Sequence, residues 1–301
     1  MPLLDLHLHS TMSDGTMTPR EIMALARQRG VATLSITDHD TVAAYPEALD
    51  LGRQAGVAVI CGLEVTAHHR GLSLHLLGFG LDHQSPALAA GLSGIQEARR
   101  ARNLAIIARL NGLNIPLTLD DLPNHRGQTG RPHIARALQV RGVVRSEQEA
   151  FARFLRKDGA AYVQRQLLPV AQAIAMIVEA GGLPVLAHPG ALRLGEPGLR
   201  QLVRELIGQG LAGLEVYHPM NSAPLTRSLA GLCQTLGLVA TGGSDFHGRE
   251  GDKAPLGEAG GKLPVPVDLL APLLARLNLN PPPVCRLEAD KEQRHAQHPD
   301  R

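Results

Sequence analysis

Tryptophan is absent from this chain of 301 residues, and tyrosine and phenylalanine supply only 2% of it. A core without large rings must be filled by Leu, Val, Ile and Ala, and recognition of nucleic acid by rows of stacked aromatics is disfavoured. Cysteine is equally scarce. Cys61, Cys233 and Cys285 lie far apart with no Cys-x-x-Cys spacing, which speaks against a disulfide framework or a thiolate metal site. They read as reduced thiols of a cytoplasmic protein. Charge of one sign is lacking too: the net charge is +2, so no whole-molecule attraction to nucleic acid or membrane follows. No apolar stretch approaches the length of a membrane span, and no basic segment precedes a long apolar one near the N-terminus. The expected location is the cytoplasm, and no stable protein partner is evident.

What is present is an alternation. Short apolar, β-rich runs recur as LLDLHLH (3–9), VATLSITDHD (31–40), VAVICGLEV (57–65) and LSLHLLGF (72–79). LPVLAHPG (183–190), LAGLEVYHP (211–219) and GLVATGGSDFHG (237–248) follow. Between most of them lie helix-period stretches at 18–30, 41–56, 169–182, 196–210 and 223–237, several closed by a Gly helix stop. Alternating strands and helices predict a parallel sheet covered by helices. Seven strand candidates in one series predict a closed or nearly closed β/α barrel, built from residues 1–80 and 166–280. No GxGxxG follows the first strand, which counts against dinucleotide binding.

Residues 81–165 interrupt the series with helical stretches and no strand between them. This segment is expected to be an α-helical insertion capping the substrate. It is rich in arginine, and most of those arginines are expected to solvate helix faces. The tail at 281–301, after Pro-Pro-Pro, is polar and expected to be disordered; His295 and His298 within it are set aside.

Histidine is the anomaly, with 14 copies. The apolar runs end on His7, His9 and nearby Asp14; on Asp38, His39 and Asp40; and on Glu64. Later runs bring His75, His188, Glu215, His218, Asp245 and His247. In a parallel barrel the C-terminal ends of all strands converge on one face, so these residues would line a single cup. His7 and His9 are two apart on a strand and point to the same side. Asp245 and His247 repeat that spacing, after Gly242 and Gly243, which are expected to let the backbone turn tightly. One such histidine alone would read as a hydrogen-bonded core residue. So many polar groups buried together without partners would cost several kcal/mol each, and cations satisfy them at once. Imidazole and carboxylate without thiolate suit Mn, Zn or Fe rather than a structural zinc. Two or three divalent metal ions are expected, sharing a bridging carboxylate, with Glu64 the candidate bridge because it stands mid-series.

DLHLHSTMSDG, ITDHD, GLEVT, the lone His75, VLAHPG and GGSDFHG occur in that order across both halves of the series. As a set they resemble the polymerase-and-histidinol-phosphatase (PHP) family. The resemblance implies an α/β fold, a distorted seven-stranded (β/α)7 barrel, whose two or three divalent ions serve phosphate-ester hydrolysis. Carried over by position, it implies one ion held by His7, His9, Glu64 and Asp245. A second would be held by Glu64, His75 and His188, and a third by Asp14, His39 and His247. Manganese is the first expectation for the metal, with zinc or iron as alternatives.

The segment GRPHIARAL resembles members acting on nucleoside 3′,5′-bisphosphates and on the 5′ ends of short RNA. The expected substrate is therefore a nucleotide or short RNA. Arg99, Arg102 and Arg131, with His133, are expected to hold its second phosphate, because guanidinium forms bidentate contacts that Lys cannot. A helix start at Pro132 would add free N–H groups. Asp14 and His39 are expected to act at the reacting centre. His218 is expected to protonate the leaving alkoxide with help from Glu215, its alternative being a structural role. Competing readings are histidinol-phosphate or broad phosphodiesterase activity, a metal-dependent amidohydrolase, and a non-enzymatic binding module. Amidohydrolase barrels usually carry a bridging lysine, and no Lys occurs before Lys157.

Overall fold

The computed structural model describes residues 2–123 and 127–279; the expected tail, Cys285 and Arg126, one of the arginines of the 81–165 segment, lie outside them. Strand and helix alternate as β1 (Leu3–Leu8), α1 (Pro19–Arg29), β2 (Val31–Ile36), α2 (Tyr45–Ala55), β3 (Ala58–Val59), β4 (Gly62–His69) and β5 (Leu72–Phe79). Next come α3 (Pro86–Gly112), α4 (Arg131–Val140) and α5 (Glu147–Ala150), with no strand among the described residues between them. The alternation resumes with β6 (Leu168–Pro169), α6 (Val170–Glu179), β7 (Leu183–Leu186), α7 (Glu196–Ile207), β8 (Gly213–Tyr217), α8 (Ala223–Leu236), β9 (Val239–Gly242) and α9 (Leu270–Arg276). Local chemistry sets the limits of these elements. Thr18 and Glu21 form a reciprocal capping box at the start of α1, Pro19 opens it, and Gly30 closes it at φ 74°.

A mixed α/β architecture results, but not the closed parallel barrel expected. The strands fall into two sheets, ordered β1-β2-β3 and β6-β4-β5-β7-β8-β9. Single parallel bridges, Leu8 to Phe246 and His39 to Glu64, link them. The run at 57–65 splits into β3 and β4. β4 and β5 form an antiparallel hairpin, in which His69 pairs with Leu72. The two residues between them, Arg70 (φ 46°) and Gly71 (φ 80°), adopt the positive φ that a type I′ turn requires. β5 also runs antiparallel to β7, so the sheet is mixed.

Apolar side chains fill three clusters around the strands, dominated as expected by Leu, Val, Ile and Ala. A fourth cluster is drawn from residues 106–163, joining α3, α4 and the turn after α5 through Ile106, Leu110, Ile134, Leu138, Phe154 and Leu155. Among the described residues no helix is long and apolar enough to cross a membrane.

Candidate active site

His7 and His9 stand at the end of β1, His39 beyond β2, His188 beyond β7, His218 beyond β8, and Asp245 and His247 beyond β9. His75 lies near the start of β5. Because β5 is antiparallel to β7, its early residues reach the rim where the parallel strands end. That direction explains why a lone histidine inside a run joins residues from the ends of others. Beyond Glu64 and His75 the β4–β5 hairpin projects past the rim, and Thr66, His68, Gly71, Leu72 and Ser73 wall a cavity there.

Glu64 is the hub. Its Oε1 lies 2.7 Å from His75 Nδ1 and 2.9 Å from His188 Nε2. Its Oε2 lies 3.1 Å from His39 Nδ1, 3.3 Å from His9 Nε2 and 3.5 Å from His7 Nε2. Asp245 Oδ1 faces His7 and His9 Nε2 at 3.5 and 3.3 Å, and its Oδ2 is 3.5 Å from His218 Nε2. Asp14 Oδ1 is 3.4 Å from His247 Nε2. Thus all nine expected ligands, and His218, gather at one rim.

The donor set fits divalent cations. Five overlapping groups, such as His7–His9–Glu64, His39–Glu64–His75 and His9–Asp14–His39, bring three ligand atoms close enough to share an ion. Buried yet without a hydrogen-bond partner among the described residues are His7 Nε2, His9 Nε2, His39 Nδ1, His188 Nδ1 and Asp14 Oδ1. Leaving such atoms unpaired is costly, and one cation satisfies several. The electrostatics agree. Burial tends to raise the Glu64 carboxyl, but His39, His75 and His7 hold it well below its usual range. Burial tends to lower His9, yet Asp245 and Glu64 draw it up to about 10. The cluster thus favours positive charge at its centre.

Further carboxylates, all buried, orient the ligands. Glu215 Oε1 accepts from His7 Nδ1 at 2.8 Å, and Oε2 accepts from the His188 backbone N–H at 2.6 Å. This differs from the expected assistance to His218. Asp38 accepts from Ser10 N, Ser10 Oγ and Ser13 Oγ at 2.6–2.7 Å, and so anchors the loop that carries Asp14. Asp5 does the same for the Asp245 loop through Ser244 N and Oγ at 3.0 and 2.6 Å. Gly242 and Gly243 were expected to supply a turn, but neither has positive φ. Gly243 serves close approach instead: a Cβ there would lie 2.4 Å from His7 Cβ and 2.5 Å from His7 N.

His7 and His218 differ in which nitrogen is available. Giving its Nδ1–H to Glu215 leaves His7 Nε2 with a free lone pair, as a ligand needs. His218 Nδ1 instead accepts the Met220 N–H at 3.1 Å. In the neutral ring the proton then sits on Nε2, turned toward Asp245.

Beside the cluster lies a cavity of about 760 Å³, lined by Asp14, His39, His75, Arg99, Arg102, Arg131 and Arg165, with Phe151, Lys157 and Tyr162 among others. Three of these arginines were expected; Arg165 was not. Asp40 orders two of them, since its Oδ2 accepts from Arg99 Nε and Arg165 Nη1 at 3.1 Å each. Burial would raise the Asp40 carboxyl, but Arg99 and Arg165 bring it to about 2. Among the described residues, Arg102 Nε and Arg165 Nε and Nη2 are buried with no partner. Burial, then Arg99 and Arg131, lower Arg102 to about 9. Arg131 sits 5.8 Å over the Phe151 ring. His133 does not line this cavity. It is buried, and its Nδ1 accepts from the Gly130 N–H at 3.0 Å, capping α4.

Comparison with known proteins places this geometry in context. The PHP domain model matches residues 5–119. A 3′,5′-nucleoside bisphosphate phosphatase of Chromobacterium violaceum is 34% identical over 250 residues, 82% of this chain and 88% of that protein. A phosphoribosyl 1,2-cyclic phosphate 1,2-diphosphodiesterase of Eggerthella lenta is 37% identical over 254 residues, 82% of this chain and 95% of that one. The 5′-3′ exoribonuclease Rnm of Escherichia coli is 34% identical over 268 residues, 88% and 90% of the two chains. Among solved structures, one described as a metal-dependent phosphoesterase of Bifidobacterium adolescentis superposes with TM-score 0.80 at 32% identity, covering 91% of this chain and 96% of that one. Another, described as a C. violaceum amidohydrolase with bound sulfate and no metal, gives TM-score 0.77 at 32% identity, covering 89% and 96%.

Proposed function

Because the chain belongs to the PHP family of metal-dependent phosphoesterases, we propose that it removes the 3′-phosphate of nucleoside 3′,5′-bisphosphates. The products are the 5′-monophosphate and phosphate, and short 5′-phosphorylated RNA is cleaved by the same chemistry. One observation carries this reading: next to the metal-competent cluster, Arg99, Arg102, Arg131 and Arg165 line a single nucleotide-sized cavity, and among the described residues buried nitrogens of Arg102 and Arg165 have no partner. A second phosphate, distant from the one hydrolysed, answers them.

His7, His9, Glu64 and Asp245 are read as holding one cation, Glu64, His75 and His188 a second, and Asp14, His39 and His247 a third. Manganese is the preferred metal, with zinc or iron as alternatives. When bound, divalent cations supply Lewis acidity to phosphoryl oxygens and lower the pKa of water toward neutrality. The chain's own residues do the rest. Arg102 and Arg165 grip the 5′-phosphate, while Arg99, braced by Asp40, and Arg131, stacked on Phe151, shape the cavity around it. Fixing that phosphate presents the 3′-ester to the rim, where orientation lowers the barrier. His218, once its Nδ1 takes up a proton in place of the Met220 N–H, gives its Nε2 proton to the departing 3′-oxygen and returns to the neutral ring. The helical segment at 81–165 acts as the substrate cap, because α3 and α4 carry Arg99, Arg102 and Arg131. The two single bridges between the sheets support reading them as one interrupted barrel of the family type.

The Eggerthella relative favours a second reading, cleavage of phosphoribosyl 1,2-cyclic phosphate. A panel separates the two: adenosine 3′,5′-bisphosphate, AMP, phosphoribosyl 1,2-cyclic phosphate, histidinol phosphate and a 5′-phosphorylated RNA pentamer. Each is incubated with protein loaded with Mn, Zn or Fe, and products are resolved by chromatography. Bisphosphate should lead, with AMP turned over poorly. If phosphoribosyl cyclic phosphate exceeds it in kcat/KM, the second reading replaces the first.

A further inference from the structure

The nucleotide cavity does not account for a second cleft of about 410 Å³, lined by Glu147, Gln148, Phe151, Ala152, Arg156 and Arg249. Phe151 borders both spaces. The cleft also reaches the metal-competent rim, because Arg249 Nη2 contacts the Asp14 carbonyl and lies 3.5 Å from Asp14 Oδ2. Arg249 Nε is buried with no partner among the described residues. Glu147, the one acidic lining residue, is already engaged, 3.1 Å from Arg136 and 4.0 Å from Arg249. Arg156 is exposed, and among the described residues its guanidinium has no ion pair. Arg156 therefore gives the cleft uncommitted positive charge beside an aromatic ring.

We infer that this cleft is a subsite for the nucleotide on the 3′ side of the scissile phosphate. The inference rests on the reading above, in which the first nucleotide fills the arginine cavity and its 3′-phosphorus meets the metal-competent rim. A bisphosphate ends there. An RNA chain continues, and the continuation leaves from the scissile phosphate by a route the first nucleotide does not occupy. Arg249, which lines the second cleft, contacts Asp14 at that rim. Arg156 suits the following phosphate, and Phe151 offers the next base a face to stack on. In the step itself, a water oxygen bonds to phosphorus and the bond from phosphorus to O3′ breaks. The 3′-oxygen takes a proton, the water yields one, and the phosphate stays on the second nucleotide. The dinucleotide pApA plus water thus gives two molecules of AMP.

The test compares wild type with Arg156→Glu and Arg156→Gln on adenosine 3′,5′-bisphosphate and on pApA, with Mn-loaded full-length protein. Arg156→Glu should lower kcat/KM for pApA at least tenfold and leave the bisphosphate within twofold, with Arg156→Gln intermediate. Raising salt should weaken pApA binding more steeply in wild type than in Arg156→Glu. Equal loss on both substrates, or no loss on pApA, overturns the subsite while the bisphosphate activity stands. So does a wild-type enzyme that hydrolyses bisphosphate but leaves pApA intact. If pApA is cleaved in an Arg156-dependent way and bisphosphate is not, the subsite holds and the bisphosphate reading falls. If neither is cleaved, both fail.

Discussion

His7 Nδ1 lies 2.8 Å from Glu215 Oε1, and neither side chain is exposed. The pair decides which face of the imidazole is available, since a ring that donates from Nδ1 presents a lone pair at Nε2. Glu215→Gln keeps the shape and removes the charge that holds this tautomer. Metal affinity should fall roughly 10–100-fold, the usual cost of losing such a partner. Titration of the metal-stripped protein with Mn, followed by calorimetry, reads this directly, and unchanged affinity would show that Glu215 is only a packing residue.

His218 makes the opposite choice, accepting from Met220 at Nδ1. His218→Gln should retain its full metal content while kcat on bisphosphate drops about 100-fold or more, the range for a lost general acid. A p-nitrophenyl phosphodiester, whose leaving group needs no proton, should feel the change far less. Loss of metal in this variant would instead make His218 a ligand.

Arg102→Ala removes a charged partner from the second phosphate. Contacts of this kind contribute about 1.5–3 kcal/mol, so kcat/KM for bisphosphate should fall by roughly 10–150-fold, mainly through KM. Arg102→Lys should recover little, because an ammonium lacks the guanidinium fork. Bisphosphate kinetics equal to wild type would remove Arg102 from the site.

His133 predicts a pH dependence. Burial lowers it from 6.5 to about 4 in the folded chain, Arg249 and Arg136 adding to the effect and Asp14 opposing it. Between these values the unfolded chain binds the proton and the folded one does not. Its contribution is therefore complete above pH 6.5 and is lost as pH falls toward 4. The size is on the order of 3 kcal/mol. His133→Gln can still cap Gly130 and does not titrate. Urea unfolding of both proteins from pH 4 to 7 should show the wild type losing more stability toward acid, and parallel curves would refute the assignment.

Chelation should abolish turnover, and Mn should restore it. Stripped protein should also melt at a lower temperature, because a cation at 100 times its dissociation constant adds about 2.7 kcal/mol. Turnover that survives exhaustive chelation would remove the metal from the reaction.

The rim was legible before the fold was. Polar residues that end apolar runs are conspicuous, and His7, His9, Glu64, His75 and Asp245 needed only convergent strand ends to meet. The hairpin was not legible. Arg70-Gly71 is a weaker turn signal than Asn-Gly, so two antiparallel strands passed for successive parallel ones. Arg165 carries no local signal because its value lies in Asp40, a partner 125 positions away. Gly243 suggests a turn where its role is close approach, since nothing local to it reports how close His7 comes.

The bridge between His39 and Glu64 is one of only two that join the sheets among the described residues, and both of its residues contribute side chains to the cluster. The other, Leu8 to Phe246, is flanked by His7, His9, Asp245 and His247. Loading with cations therefore rivets a seam that backbone pairing only tacks together. The molecule should resist proteases along this line when filled and part there first when emptied, so that the apparatus for hydrolysis doubles as the fastening of the architecture.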